Sequence, residues 1–208
     1  MTRTGRSLPS AAIELVAILA AAVGLAFVVQ AFLVKPYRIP SASMEPTLVI
    51  GQRILVNRVG ASSGDLHVGE IVVFHPPIDF EGGCADPVEG ESSAGQPGAR
   101  ACDIAGPRAS SLTFVKRVVG LPGDRISIRG GHVIRNGVRE RDGYIEACRA
   151  AAICNFSGTI RIPSGEYFMM GDNRGESDDS RFWGPIRGSW VIGQAFFTYW
   201  PPDRIGFM

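Results

Sequence analysis

Lysine is nearly absent from this chain of 208 residues: there are two, Lys35 and Lys116, against nineteen arginines. Histidine is almost as scarce, with three residues, His67, His75 and His132. The four cysteines, Cys84, Cys102, Cys148 and Cys154, form no C-x-x-C pair. Each shortage removes a class of function. Cysteines at these spacings, with so few histidines to complete a set, do not suit a zinc site, and no metal or other cofactor is expected. No basic cluster stands out and the net charge is +1, so nothing points to a nucleic-acid partner. His67 and His132 fall in turns and His75 ends a strand beside Pro76 and Pro77, which gives a Ser–His–Asp arrangement no support.

What the chain does have is one long apolar run. Arg3 and Arg6 precede a stretch from Ala11 to Val34 that only Glu14 and Gln30 interrupt. A helix needs roughly 20 such residues to cross the hydrocarbon core of a bilayer. A cleaved secretory signal has a shorter apolar core, about 7–15 residues, followed by a small-x-small site. Phe32-Leu33-Val34-Lys35-Pro36 offers no such site. The expectation is a retained single-pass anchor at 11–34, a short cytoplasmic tail at 1–10, an extracytoplasmic domain at 35–208 and the lipid bilayer as a partner. Basic residues flank the run on both sides, so charge leaves the orientation open. Disulfides Cys84–Cys102 and Cys148–Cys154 would close short loops and fit an oxidising compartment; buried free thiols are the alternative.

Beyond residue 35 the pattern is β. Glycine (26) and proline (14) punctuate short alternating runs, which predicts a mainly β, antiparallel, partly barrel-like domain. Strands are expected at 52–58, 70–75, 112–119, 165–170 and 191–200. Residues 125–162, with Asn136-Gly137 as a hairpin marker, read as a smaller β lobe. Residues 79–111, rich in Gly, Ala, Ser and Pro, read as a mobile surface insertion pinned by Cys84–Cys102.

Lys116 lies inside the apolar run Leu112-Thr113-Phe114-Val115-Lys116-Arg117-Val118-Val119. Alternation puts Leu112, Phe114, Lys116 and Val118 on one face. An ammonium among such neighbours loses hydration, its pKa falls, and a neutral amine becomes available as a general base. On position alone a solvated edge lysine is the more ordinary reading, because buried charges are rare.

Three segments then stand in order behind the apolar run: Pro40-Ser41-Ala42-Ser43-Met44-Glu45-Pro46-Thr47-Leu48, Lys116-Arg117-Val118-Val119-Gly120-Leu121-Pro122-Gly123-Asp124, and Gly171-Asp172-Asn173-Arg174-Gly175-Glu176-Ser177-Asp178-Asp179-Ser180-Arg181. Together they closely resemble bacterial signal peptidase I, or leader peptidase, a Ser–Lys protease family. The resemblance covers about 35–75 and 112–200. It implies that Ser43 is the nucleophile, Lys116 its base, Ser177 the residue orienting the amine, and Ser41 an oxyanion donor beside the Ser43 backbone N–H. Asp179 and Arg181 match a supporting ion pair; Asp172, Asn173 and Arg174 look like loop-shaping residues. The implied substrates are exported precursor proteins with signal peptides, cut after small-x-small (Ala-x-Ala) sequences, at the bacterial cytoplasmic membrane with the catalytic domain facing the periplasm or exterior. By motif position Tyr37, Ile39, Pro40, Met44, Ile54 and Val115 wall the substrate pockets, or are ordinary core. A precursor would add as an extended strand to edges near 37–41 and 110–115. Trp183, Trp190 and Trp200 either meet the bilayer interface, which indole favours, or pack inside. A specialised processing protease of one secretion or conjugation system is the alternative task for the same dyad; an inactive scaffold would lack a nucleophile or base.

Overall fold

A computed structural model of the chain describes residues 8–60, 66–78, 101–103, 106–146, 148 and 154–208. The apolar run folds as α1, Leu8–Phe32, of 25 residues, about 37 Å at 1.5 Å per residue. Its side chains are described at 11–25 and 27, and among the described residues no helix is long and apolar enough to cross a membrane. The helix stops before the expected 34. The backbone from Val34 is taken into strand β1 (Val34–Arg38), where Pro36 sits opposite Leu55. A proline, which cannot donate to a ladder, is tolerated there because β1 ends its sheet.

The rest is mainly β. A half-barrel antiparallel sheet is built from β1, β2 (Arg53–Asn57), β3 (Ile71–Phe74), β4 (Phe114–Gly120), β9 (Glu166–Met170), β10 (Ile186–Arg187), β11 (Val191–Trp200) and β12 (Gly206–Phe207). Its order is β1-β2-β11-β3-β4-β9-β10, with β12 beside β11. A second, four-stranded sheet contains β5 (Arg125–Arg129), β6 (His132–Arg135), β7 (Val138–Arg139) and β8 (Phe156–Arg161) in the order β7-β6-β5-β8. Asn136 and Gly137 turn β6 into β7 with φ of 54° and 84°, the left-handed pair that suits a two-residue hairpin.

Among the described residues three apolar cores result, and alternation assigns the inward strand residues to them. On β9, Tyr167 and Met169 enter a core with Val72, Phe74, Val118 and Trp183. Phe168 and Met170 point the other way, into a core shared with Ile126, Ile128, Val133, Phe156 and Ile160 of the second sheet. A third core holds Ile39, Met44, Leu48, Ile54, Val56, Ile71, Val73 and Ala195. β9 is therefore the wall between the two sheets. Trp183 is buried and packs 6.0 Å from Phe74, so it has no place at a bilayer interface. Trp190 leans on the same core, and Trp200 is exposed.

Cys148 and Cys154 are disulfide-bonded, with Cα atoms 5.8 Å apart. Cys102 is also in a disulfide; Cys84, its expected partner, lies outside the described residues, as does most of the expected insertion at 79–111. The described part of that segment is tied down: Ile78 N–H donates to Arg108 O at 3.0 Å and Ser110 N–H to Pro76 O at 2.7 Å.

Phe168→Ala removes a ring from the junction of the two sheets. A loss of about 3–5 kcal/mol is expected, read as a lower urea midpoint for the detergent-solubilised full chain followed by tryptophan fluorescence.

Candidate active site

Ser43 sits in a single 3₁₀ turn, Ala42–Met44, between β1 and β2. Neighbouring residues fix that turn. Met44 is buried in the third core, Glu45 N–H donates to Ala42 O at 2.9 Å and Leu48 N–H to Met44 O at 2.9 Å. Buried Gln52 holds the next bend, accepting from Val49 N–H at 3.1 Å and donating to Thr198 at 2.9 Å.

Lys116 lies in the middle of β4, paired with Val72. It shares its face with Phe114 and Val118, as alternation requires, and is 4% exposed. Its Nζ is 2.7 Å from Ser43 Oγ and 5.6 Å from the Phe114 ring centroid. Burial lowers the pKa of the amine from 10.5 to about 8, against the pull of the Asp179 and Asp178 carboxylates, which favour the charged form. Ser41 Oγ is 3.4 Å from Ser43 Oγ.

The loop after β9 closes the site. Gly171 N–H donates to Asp179 Oδ2 at 3.0 Å, and Asn173 N–H donates to Ser43 O at 3.1 Å. A Cβ on Gly171 would collide with the Ser177 side chain and with the Ser43 carbonyl, so only glycine lets these segments meet. Ser177 is buried, and its Oγ has no hydrogen-bond partner among the described residues. Asp179 and Arg181 form a wholly buried fork: Nε to Oδ1 at 2.8 Å and Nη2 to Oδ2 at 2.9 Å. Asp179 also caps the short helix α2 (Ser180–Trp183) by accepting from Arg181 N–H at 3.2 Å. Burial alone would raise the Asp179 pKa; the Arg181 guanidinium more than offsets this and holds it below the ordinary carboxylate value. Arg181 further donates to the Arg174 and Ser177 carbonyls at 2.8 and 3.0 Å, which sets the path of the whole loop.

Sequence reasoning gave Asp172 only a loop-shaping part and missed Thr47 and Arg117. Asp172 Oδ1 accepts from Arg117 Nε at 2.8 Å, and Oδ2 accepts from Arg117 Nη2 at 2.6 Å and from Thr47 Oγ1 at 2.5 Å. One carboxylate thus joins the three motif segments. The available signal was one polar residue in each motif, Thr47, Arg117 and Asp172, but nothing in a linear chain says that they meet. Of the expected pocket residues, Ile39, Met44 and Ile54 are buried in the third core. Tyr37 and Val115 pack, partly buried, against it, and Pro40 is exposed. The Asp178 side chain is solvent-accessible yet within electrostatic reach of Lys116; partial burial of its carboxyl, then the Asp179 charge, push it up to about 6.

Residues 12–200 match the model of the family described as signal peptidase, peptidase S26. The chain belongs to this family. Among similar proteins, a probable signal peptidase I-2 of Synechocystis sp. is 32% identical over 94% of this chain and 77% of its own length. A probable signal peptidase I-1 of the same organism is 34% identical over 93% and 85%. Signal peptidase IB of Staphylococcus aureus is 29% identical over 91% and 90%. A solved signal peptidase I from Enterococcus faecalis V583 superimposes with a TM-score of 0.36 at 20% identity, over 62% of this chain and 96% of that one. As a member of this signal peptidase family the chain is a serine endopeptidase, and the chemistry must be assigned among the serines and ionisable groups described above.

Gly171→Ala should displace Ser43 from Lys116 and lower turnover by roughly 10²-fold or more, the cost of about 1 Å of misplacement, measured as kcat/KM on a peptide substrate. Lys116→Met tests the burial of the amine. Between pH 8 and 10.5 the unfolded chain binds more protons at Lys116 than the folded one, so folded stability climbs with pH in that window. The methionine variant should therefore be more stable than the parent at pH 7, by roughly 3 kcal/mol in urea unfolding, and the gap should close by about pH 10.5.

Proposed function

We propose that the chain is a membrane-anchored endopeptidase that removes signal peptides from exported precursor proteins, cutting after a small-x-small sequence with Ser43 and Lys116 as a dyad. The observation that carries this reading is the 2.7 Å approach of Lys116 Nζ to Ser43 Oγ inside an apolar enclosure. The names of the similar proteins support the substrate class, and the apolar run at 11–34 supports single-pass anchoring.

The chemistry follows from the arrangement. Neutral Lys116 Nζ takes the proton of Ser43 Oγ as that oxygen attacks the scissile carbonyl. The oxyanion is met by the Ser43 N–H and by the Ser41 hydroxyl. Ser177, whose buried hydroxyl has no other partner among the described residues, orients the amine. The Lys116 ammonium then protonates the leaving amine, the Ser43 ester is left, and Lys116 serves again as base for the water that releases the acyl product. Asp179 and Arg181 keep the loop in place. The precursor reaches the site as an added strand. β9 leaves β4 after Arg117↔Met170, so residues 114–116 have no strand on that side among the described residues, while β3 covers the other side as far as Phe74↔Phe114. Tyr37 and Val115, at the rim of the third core, are the accessible apolar walls beside that edge.

Cleavage of an Ala-x-Ala precursor by the purified full chain in detergent is the test. Ser43→Ala and Lys116→Ala should each abolish it, and retained turnover in either refutes the dyad. For the parent, kcat/KM should rise through about pH 8 as Lys116 loses its proton. Asp178→Asn removes a carboxylate that favours the ammonium, so the rise should move to lower pH.

A further inference from the structure

The segment just before β4 is held by an arrangement that the dyad does not require. His75 Nδ1 lies 2.7 Å from Leu112 O, in donor geometry when that nitrogen carries the proton. Leu112 N–H donates to Ser110 Oγ at 3.1 Å, and Ser110 N–H donates to Pro76 O at 2.7 Å. A bridge between Pro77 and Ala109 continues the attachment. Both backbone polar groups of Leu112 are therefore engaged within the protein. An incoming strand that pairs with residues 114–116 cannot extend its ladder through Leu112. What Leu112 offers is its side chain, which is 50% exposed although large and apolar. The interior is two residues away: Phe114, on the same face, packs edge-on to Phe74 with ring centroids 6.5 Å apart.

We propose that Leu112, braced by His75, is an apolar subsite for the precursor upstream of the small-x-small residues. The proposal rests on the strand-addition reading above. In that reading Val115 walls the free edge, and because β9 occupies β4 from Arg117 onward the acyl side of the substrate is placed along β4 from Lys116 towards Leu112. Four residues at about 3.3 Å each place Leu112 roughly 13 Å from the reacting carbonyl, beside the fourth or fifth substrate residue, roughly counted, before the cut. A leucine or similar aliphatic side chain there would cover Leu112 and lose water with it. His75 is a positioning residue: it touches no substrate atom and sets the Leu112 carbonyl, and through it the angle of the side chain.

Two synthetic precursors with the same Ala-x-Ala cut, one with leucines and one with serines at the fourth and fifth positions before it, are compared with the purified full chain in detergent. The parent enzyme should favour the leucine peptide by roughly 10-fold in kcat/KM, the scale of a modest apolar contact, mainly through KM. Leu112→Ser should bring the ratio close to one by raising KM for the leucine peptide more than for the serine peptide. His75→Ala should lower the ratio through KM, and His75→Asn, whose amide can still donate to Leu112 O, should restore it. Because each result is a ratio within one preparation, loss of folded enzyme does not mimic it. A ratio that survives Leu112→Ser, or an equal fall for both peptides, overturns the subsite. Cleavage that depends on Ser43 and Lys116 but ignores the upstream residues also overturns the subsite and leaves the endopeptidase reading standing. No cleavage of either peptide by the parent overturns both.

Discussion

The carboxylate of Asp172 is the tie on which the arrangement depends. It takes a fork from Arg117 on β4 and the hydroxyl of Thr47 from the segment after Ser43, and it belongs itself to the loop after β9. Three stretches of chain, up to 125 residues apart, are fixed to one buried group. A carboxylate with no exposed surface is costly unless its lone pairs are filled by good donors. Here they are, and Tyr144 stacks on the Arg117 guanidinium, with 4.0 Å from its carbon to the ring centroid. Arg117 gains from the same contact: burial would lower its pKa, and the Asp172 hydrogen bond and charge raise it instead.

Lys116, the neighbour of Arg117 in the strand, meets opposite conditions. Two adjacent cations of β4 point to different surroundings because side chains alternate across a strand. One finds a carboxylate in contact. The other finds a serine hydroxyl, an aromatic ring and aliphatic walls, with its carboxylate neighbours acting through charge alone. Desolvation prevails over those charges and holds the amine well below the ordinary lysine value. Losing the enclosure would return it to the ordinary lysine range.

Rigidity around this pair comes from the wall strand. β9 commits Tyr167 and Met169 to one core and Phe168 and Met170 to another, so it cannot slip by one residue without reversing both. Gly171 begins the loop directly after it, and the buried Asp179–Arg181 fork holds the returning arm. The second sheet supports the same loop from outside: Arg174, fully buried, donates to the Gly171 carbonyl at 2.9 Å and to the carbonyl of Gly131. The register of two sheets is thereby transmitted to the carbonyl of Ser43.

Local order was written plainly in the residues. Alternation announced the strands and the inward face of Lys116, Asn136-Gly137 announced the β6–β7 turn, and the three motifs singled out the segments that the fold brings together around Ser43 and Lys116. These are short-range properties, set by backbone sterics and by the period of the apolar pattern. Less visible were Thr47 and Arg117 as partners of Asp172, the need for a bare Cα at Gly171, the burial of Ile39, Met44 and Ile54 within a core, and the engaged carbonyl of Leu112. Each depends on which segments become neighbours when the sheets close. A charge pattern along a chain does not encode that, because the energy of a polar group is decided by the donors and the water around it once the fold has brought distant residues together.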